Sequence, residues 1–144
     1  MSQRRWLAAV VALVGAVLAA PEAIAARVVA TIDLSAQRMY VSIGGEPVYA
    51  WKVSTARRGY VTPVGTFRPT RMHREYYSRK YHGSPMPHSI FFYGGYAIHG
   101  TYSIGALGRP ASHGCVRLHP ENARRLFNLV LRHGPGNTRI RVRR

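Results

Sequence analysis

The sequence predicts a mainly β domain with one α-helix packed on it. Several short segments alternate apolar and polar residues with a period of two, which is typical of half-buried strands. Only one segment, Pro120–His133, has a clear helical period. Residues 26–144 comprise 119 residues, a length that suits a single compact domain with one modest core.

The first 25 residues are predicted to be an export signal. Arg4 and Arg5 precede an uncharged run of 14 residues, 7–20, which is shorter than the roughly 20 residues that a membrane-spanning helix needs. The Ala23-Ile24-Ala25 sequence has the small-x-small pattern of a cleavage site. We expect cleavage after Ala25, release into the periplasm and no stable membrane insertion afterwards. An uncleaved N-terminal anchor is the alternative.

The mature chain is predicted to open with a three-stranded meander. The strands are Arg27–Leu34, Arg38–Ile43 and Pro47–Ser54, and the third has apolar residues at Val48, Ala50 and Val53. Short polar and Gly-Gly segments separate the strands, as expected for hairpin turns. Next comes the turn Thr62-Pro63-Val64-Gly65-Thr66-Phe67, whose last two residues begin another short strand.

The segment Met72–His88 is predicted to be a long loop over a functional site. It contains three tyrosines, three histidines and two prolines and has no clean periodicity. A long loop in a compact domain is usually functional. A disordered insertion is the alternative, although the density of tyrosines argues against it.

The second half of the domain is predicted to contain further strands and the helix. Ser89–Tyr93 and Tyr96–His99 are strand-like, residues 100–110 form a glycine-rich loop, and Cys115–Leu118 is a short buried strand. The helix Pro120–His133 starts with proline and ends before glycine, and its apolar face is predicted to consist of Ala123, Leu126, Phe127, Val130 and Leu131. Thr138–Val142 closes the chain as a strand with Ile140 and Val142 inward.

The composition is strongly basic. The formal net charge is +16, and removing the signal lowers it only to +15. Such a surface attracts polyanions in general. In an exported protein we expect no nucleic-acid partner, so the available anions are cell-wall carboxylates, anionic lipids and lipopolysaccharide. A merely solvated arginine-rich surface is an equal alternative.

Cys115 is the only cysteine, so no internal disulfide can form. A lone cysteine in an exported chain is a reactive group, an intermolecular link or an inert buried residue. His113 lies two residues before it and His99 sixteen residues before it. These two candidate bases favour a nucleophilic thiol, because a thiol attacks as the thiolate.

The two histidines are predicted to have different roles. In an extended chain His113 shares a face with Cys115 and can shape the pocket, whereas His99 comes from another strand end and can approach the sulfur as a general base. Gly114 leaves room for a carbonyl, and the backbone N–H groups of Gly114 and Cys115 are predicted to point at a developing oxyanion.

Arg117 can share the face of Cys115 and hold a substrate carboxylate bidentately. A structural ion pair with an acidic residue is its alternative. Cys115, His113 and His99 could also bind zinc, but their spacing matches no standard structural zinc site, so we expect neither a metal nor a cofactor. His73, His82 and His88 are interpreted as pocket or surface residues.

The sequence resembles the L,D-transpeptidase catalytic domain (the YkuD-type family). The resemblance depends on His99-Gly100-Thr101 and on the stretch from Ser112 to Leu118, Ser-His-Gly-Cys-Val-Arg-Leu. The Thr62–Phe67 turn is similar to a further stretch of that family, and the likeness covers roughly residues 28–142. It implies a β-sandwich-like catalytic domain over residues 26–144.

The resemblance also implies a reaction and roles for residues. The Cys115 thiolate would attack the carbonyl before the terminal D-alanine of a peptidoglycan tetrapeptide stem, and an amine of a second stem would resolve the thioester into a 3→3 cross-link. His99 would be the base, oriented by the Gly100 carbonyl. The loop Met72–His88 would correspond to the flap over the donor site. The residues expected to line the site or contact substrate are His113, Gly114, Ser112, Arg117, Tyr81 and Met86.

The sequence leaves the acceptor open. On the same scaffold water would give an L,D-carboxypeptidase or a cross-link hydrolase, and a protein amine would give attachment to the wall. A wall-binding protein with a vestigial site is disfavoured by the intact histidine and cysteine set. We expect a monomer whose partners are donor and acceptor stem peptides.

Overall fold

The computed structural model describes residues 27–144, and the predicted export signal lies outside them. This part of the chain forms nine strands in two sheets and one α-helix. The elements in chain order are β1 (Val28–Asp33), β2 (Arg38–Ile43), β3 (Glu46–Lys52), β4 (Gly65–Phe67), β5 (Arg71–His73), β6 (Ser89–Tyr93), β7 (Tyr96–Gly100), β8 (Val116–Leu118), α1 (Pro120–His133) and β9 (Thr138–Arg143). The predicted mainly β fold class with one helix is confirmed.

The larger sheet has the strand order β3-β2-β1-β9-β4. The antiparallel β1–β2–β3 meander agrees with the prediction. The closing strand β9 lies between β1, to which it is parallel, and β4, to which it is antiparallel. Its residues Ile140 and Val142 point into the core, as expected from their alternation with arginine.

The smaller sheet has the order β5-β6-β7-β8. β6 and β7 form an antiparallel hairpin about Gly94 and Gly95. β8 adds to β7 in parallel, with His99 opposite Arg117. This pairing brings the two halves of the predicted histidine and cysteine signature onto neighbouring strands.

The helix α1 has the predicted bounds. The ring of His119 accepts a hydrogen bond from the backbone N–H of Glu121 and caps the first turn. Ala123, Leu126, Phe127 and Val130 are buried, whereas Leu131 is 48% exposed. The prediction for Leu131 was therefore wrong, because each residue turns a helix by roughly 100° and Leu131 falls beyond the edge of the buried stripe.

The core fills the space between the two sheets and α1. Val28, Ile32, Met39, Ile98 and Val116 are among its buried members. In β3 only Trp51 contributes, while Val48 and Ala50 are exposed on this edge strand. Val53, which the sequence placed within the strand, is buried just beyond its end.

The segment predicted as a structureless loop is partly regular. Its first residues, Met72 and His73, belong to β5, an edge strand paired with β6. Further along, Tyr77 and Pro85 form an isolated bridge that closes a compact hairpin-like turn. We call residues 74–88 the flap. Within residues 27–144 no helix has the length and apolar character needed to cross a membrane.

Candidate active site

Strand alternation places the candidate catalytic residues on one face of the smaller sheet. Ile98 and Val116 are paired across β7 and β8, and both are fully buried in the core. Side chains alternate between the two faces of a strand, so His99 and Arg117 lie on the opposite, outer face. Cys115 immediately precedes β8 and shares that face with Arg117.

This outer face forms the floor of a cavity of about 500 Å³. The flap covers one side of it, and Thr101 to Ser103 lie on the other. Seven of the residues that the sequence singled out line the cavity: Cys115, His99, His113, Arg117, Ser112, Tyr81 and Met86. The fold therefore brings the proposed nucleophile, both histidines and the arginine to one place.

Ser112 closes a short loop around Cys115. Its hydroxyl donates to the Cys115 carbonyl at 2.7 Å and accepts from the Gly114 N–H at 3.0 Å. Its side chain is fully buried. Both hydrogen bonds of its hydroxyl are thus made within the loop, although Ser112 also lines the cavity. Contact between Ser112 and substrate stays a prediction. We call residues 112–115 the cysteine loop.

Gly114 occupies a position that only glycine fits. Its φ is +138°, a conformation that L side chains rarely adopt, and a Cβ there would lie 2.8 Å from the Val61 carbonyl and would also overlap the Tyr96 ring. Its N–H is engaged by Ser112. Two N–H groups are expected to point at an oxyanion. The N–H of Gly114 already donates to Ser112, so only the N–H of Cys115 remains for that role.

Thr62 anchors the cysteine loop from outside, a role that the sequence analysis missed. It is buried, its hydroxyl donates to the Gly114 carbonyl at 2.8 Å, and the same oxygen accepts from the Ala56 N–H at 3.1 Å. The resemblance of the Thr62–Phe67 turn to the family was the available signal for this role, but a turn alone does not indicate which residue it contacts. Fifty-two positions separate Thr62 from Gly114, so sequence alone did not connect them.

His99 is held as a neutral base. It is 6% exposed, and its Nδ1 lies 2.7 Å from the Gly100 carbonyl oxygen. A carbonyl can only accept, so Nδ1 carries the proton and Nε2 is left with a free lone pair. Burial lowers the pKa of His99 to about 4, helped by the nearby charge of Arg117 and opposed by the hydrogen bond to Gly100.

Cys115 is held as a neutral thiol. Burial raises its pKa above the ordinary value, while a backbone hydrogen bond from Ala97 and the charge of Arg117 oppose that rise. Its side chain also contacts the small apolar cluster of Met86, Phe91 and Ala97. At neutral pH the resting site therefore contains a thiol and an imidazole rather than a preformed ion pair.

His113 lies between two tyrosine rings. The Tyr81 ring stacks on it with centroids 4.2 Å apart and an interplanar angle of 22°, and the Tyr60 ring lies 4.7 Å away on a tilt. The cations of Arg57 and Lys80 lie over the outer tyrosine rings, at 5.1 and 5.5 Å. Loss of hydration and then the nearby positive charges lower the pKa of His113. His113 thus connects the cysteine loop to the flap.

Arg117 lines the cavity and forms no salt bridge with an acidic residue of 27–144. In residues 27–144 the salt bridges connect Glu121 with two helix arginines and Asp33 with Arg143, and Arg117 takes part in none. Its guanidinium makes one long contact, 3.4 Å, to the Ala111 carbonyl. The alternative of a structural ion pair is therefore excluded for this part of the chain, and the guanidinium can bind an anionic group.

The two flap candidates differ in exposure. Tyr81 is partly exposed and stacks on His113 at the mouth of the cavity. Met86 is only 7% exposed and packs against Phe91 and Ala97. Met86 therefore anchors the flap to the sheet beneath the cavity as well as lining it. Among the described residues no group of three His, Cys, Asp or Glu side chains is placed to hold a metal ion.

Comparison with known proteins agrees with this geometry. Residues 27–142 match the family model of the L,D-transpeptidase catalytic domain (YkuD). The chain belongs to the L,D-transpeptidase catalytic-domain family.

Solved structures of similar fold carry the same family name. An L,D-transpeptidase from Mycobacterium smegmatis is 26% identical with a TM-score of 0.71, covering 83% of this chain and 59% of that one. The L,D-transpeptidase from Xylanimonas cellulosilytica is 27% identical with a TM-score of 0.70, covering 83% and 61%.

L,D-transpeptidase 3 from Mycobacterium tuberculosis, solved with a faropenem-derived adduct, is 21% identical with a TM-score of 0.72, covering 83% and 61%. This chain matches about three-fifths of the length of the structures it resembles. A comparison with functionally curated proteins gave no match.

Proposed function

We propose that this protein is a cysteine-dependent L,D-transpeptidase that joins peptidoglycan stem peptides in the cell envelope. The observation that carries the proposal is that Cys115 and a buried, neutral His99 line the same cavity on one face of the sheet. A base with its Nδ1 proton held by Gly100 has one free nitrogen, and His99 lines the cavity in which that nitrogen would act. The thiol of Cys115 is the nucleophile lining that cavity.

In the first step His99 removes the thiol proton as the sulfur attacks the carbonyl before the terminal D-alanine of a tetrapeptide stem. The bond between Cys115 Sγ and the carbonyl carbon forms, and the carbonyl electrons move to oxygen. The N–H of Cys115 is proposed to stabilise that oxyanion. Collapse breaks the bond to D-alanine, whose nitrogen takes the proton from His99, and a thioester remains.

In the second step an amine of another stem attacks the thioester. His99 accepts a proton from that amine and returns one to the departing sulfur, so the site regenerates with Cys115 as a thiol. The product is a 3→3 cross-link. The cycle therefore starts and ends with a neutral thiol and a neutral imidazole.

Arg117 is proposed to orient the donor. Stem peptides carry free carboxylates, and a half-buried guanidinium without a protein carboxylate can bind one bidentately. Its positive charge also lowers the pKa of the Cys115 thiol, which assists deprotonation. Periplasmic location, a monomeric state and the absence of a nucleic-acid partner are parts of the same proposal.

The decisive experiment is the mass of the products formed from purified disaccharide-tetrapeptides, with Cys115→Ala as the matched control. A dimer lighter than two monomers by one D-alanine, absent with the variant, is the expected result. Tripeptide without dimer would replace the transferase by an L,D-carboxypeptidase. Unchanged substrate with both proteins would overturn the proposal for this donor.

A second measurement isolates the acylation step. Faropenem forms an adduct in the relative from Mycobacterium tuberculosis. We expect the intact mass of this protein to increase by one covalent adduct after incubation with faropenem. The increase should be absent in Cys115→Ala and slowed at least a hundredfold in His99→Gln, because removal of a general base typically costs about that factor or more. An adduct on Cys115→Ala would assign the reaction to another group.

A further inference from the structure

The outer face of the larger sheet carries a two-dimensional array of arginines that the catalytic site does not use. In β9 the residues Ile140 and Val142 are buried, so the alternating Arg139, Arg141 and Arg143 lie on the outer face. Arg141 is paired with Thr31 on one side and with Thr66 on the other, so the row lies inside the sheet rather than at its edge.

Two further arginines extend this array across neighbouring strands. Arg68 follows Phe67, which packs inward against Phe92, and Arg27 precedes the fully buried Val28. Val28 is paired with Thr138 and Phe67 with Ile140, so the strand register places Arg27 and Arg68 on either side of Arg139. Loss of hydration and then the charges of Arg68 and Arg27 lower the pKa of Arg139. We call the set Arg27, Arg68, Arg139, Arg141 and Arg143 the basic face.

Negative charge near the basic face is almost absent. Asp33 is paired with Arg143 at 3.3 Å, and its carboxylate also accepts hydrogen bonds from the Ser35 hydroxyl and the Ala36 N–H. No other acidic residue of 27–144 takes part in a salt bridge with these arginines. Repulsion among clustered guanidinium groups opposes folding and is relieved by an external anion.

We propose that the basic face docks on a bilayer containing anionic phospholipids. Guanidinium groups bind phosphate bidentately, and all five cations of the face are arginine. Strands are roughly 4.8 Å apart and alternate residues on one strand roughly 6.7 Å apart, so the charges form a patch rather than a line. A patch fits a surface of headgroups better than a single polymer strand.

Two other features favour a planar surface. Tyr40 projects from the same face, since it is paired with Thr31 between the buried Met39 and Val41, and it is 40% exposed. A tyrosine ring suits a membrane interface, with an apolar body and a polar tip. Neither the catalytic cavity nor the second cavity beside Trp51 is lined by an arginine of the basic face.

Docking by this face sets the orientation of the catalytic site. The basic face and the cavity lie on the outer faces of the two opposed sheets, with the core between them. A docked molecule therefore presents Cys115 away from the bilayer. That Cys115 then faces stem peptides rests on the proposed function, whereas the binding of the basic face to lipid does not.

The test is flotation of the full chain with vesicles of pure phosphatidylcholine and of phosphatidylcholine containing 30% phosphatidylglycerol. The test variant is Arg68→Gln, Arg139→Gln, Arg141→Gln. The matched control is Arg124→Gln, Arg125→Gln, Arg132→Gln, three exposed arginines of α1. Both variants lose three positive charges, and the neutral vesicles measure binding that does not depend on lipid charge.

We expect charge-dependent binding to fall about a hundredfold in the test variant and less than threefold in the control, since each basic side chain near an anionic bilayer contributes about a fivefold factor. Equal losses in the two variants would overturn the proposal, as would equal binding of the wild type to neutral and to anionic vesicles. Displacement from vesicles by poly-glutamate at equal charge concentration would assign the face to a polycarboxylate instead. Product formation from stem peptides, measured on the same samples, reports the proposed function separately.

Discussion

The cysteine loop and the flap meet at His113 but are held by different forces. The cysteine loop is fixed by buried hydrogen bonds from Ser112 and Thr62 and by a backbone conformation that requires Gly114. The flap is held at Tyr81 and Met86 by aromatic and apolar contacts, and at Pro87 by a hydrogen bond from the N–H of Gly100. Under the proposed function the cysteine loop has to keep one geometry, whereas the flap has to open and close over a substrate.

This difference predicts how each region responds to substitution. Changes in the cysteine loop are expected to lower both the free energy of unfolding and the rate of turnover. Changes in the flap are expected to leave stability almost unchanged and to act on substrate binding.

The largest effect is expected for Gly114→Ala. The substitution combines a positive φ with an overlap on the Val61 carbonyl, and together these are expected to lower the free energy of unfolding by about 4 kcal/mol. Chemical denaturation measures the loss. Gly105→Ala is the matched control, since a Cβ there meets nothing within 4 Å, and a change of the same size in both variants would contradict the assignment.

The pH dependence of stability tests the burial of His99. Its pKa is about 4 in the folded protein, against about 6.5 in an unfolded chain, so between these values the unfolded state binds more protons. The free energy of unfolding should be highest above pH 6.5 and should decrease by about 3 kcal/mol as the pH falls towards 4.

Denaturation curves from pH 4 to 8 for the wild type and His99→Gln separate this contribution from those of His88 and His113, whose pKa values are also lowered. The difference in the free energy of unfolding between the two proteins should change with pH as predicted for His99, between pH 6.5 and 4. A difference that is constant with pH would mean that His99 is not held neutral by burial.

Thr62→Val is expected to cost about 2 kcal/mol. The substitution keeps the shape of the side chain but leaves the buried Gly114 carbonyl and the Ala56 N–H without their partner. Turnover should decrease as well, because the cysteine loop loses its outer anchor. Thr62→Ser keeps the hydroxyl and should retain most of both quantities; equal losses in the two variants would mean that the hydrogen bonds of the hydroxyl are not the cause of the effect.

The smallest effect is expected in the flap. Tyr81→Ala removes the ring that stacks on His113 and should raise KM about fivefold, with kcat within a factor of two and stability unchanged. Tyr81→Phe keeps the ring and should behave like the wild type. If Tyr81→Ala lowers kcat and leaves KM unchanged, the residue acts in the chemical step rather than in holding the flap.

Local patterns predicted much of the fold and the main members of the site. The meander, the helix and β9 follow from apolar periodicity, and Cys115, His99 and the orienting Gly100 carbonyl follow from the signature. Contacts between distant segments were not predictable in this way. The parallel pairing of β9 with β1 and the bond from Thr62 to Gly114 each join residues whose own neighbours in sequence give no sign of the partner.

The same limit applies to two side-chain roles. Ser112 is expected to contact substrate, and nothing in the sequence indicates that its hydroxyl is used within the cysteine loop. Leu131 has nearly the spacing of the buried helix stripe, but the packed surface does not extend to it. In both cases the surroundings in three dimensions decide the role, and periodicity gives no information about them.

The central position of β9 has a consequence for biosynthesis. β9 pairs with β1 over six residues and with β4 over three, so the larger sheet is divided until Thr138–Arg143 has left the ribosome. The pairing of Val28 with Thr138 spans nearly the whole domain, and contacts of such long range form late in folding. A chain in the course of synthesis therefore cannot complete its larger sheet before its last strand is available.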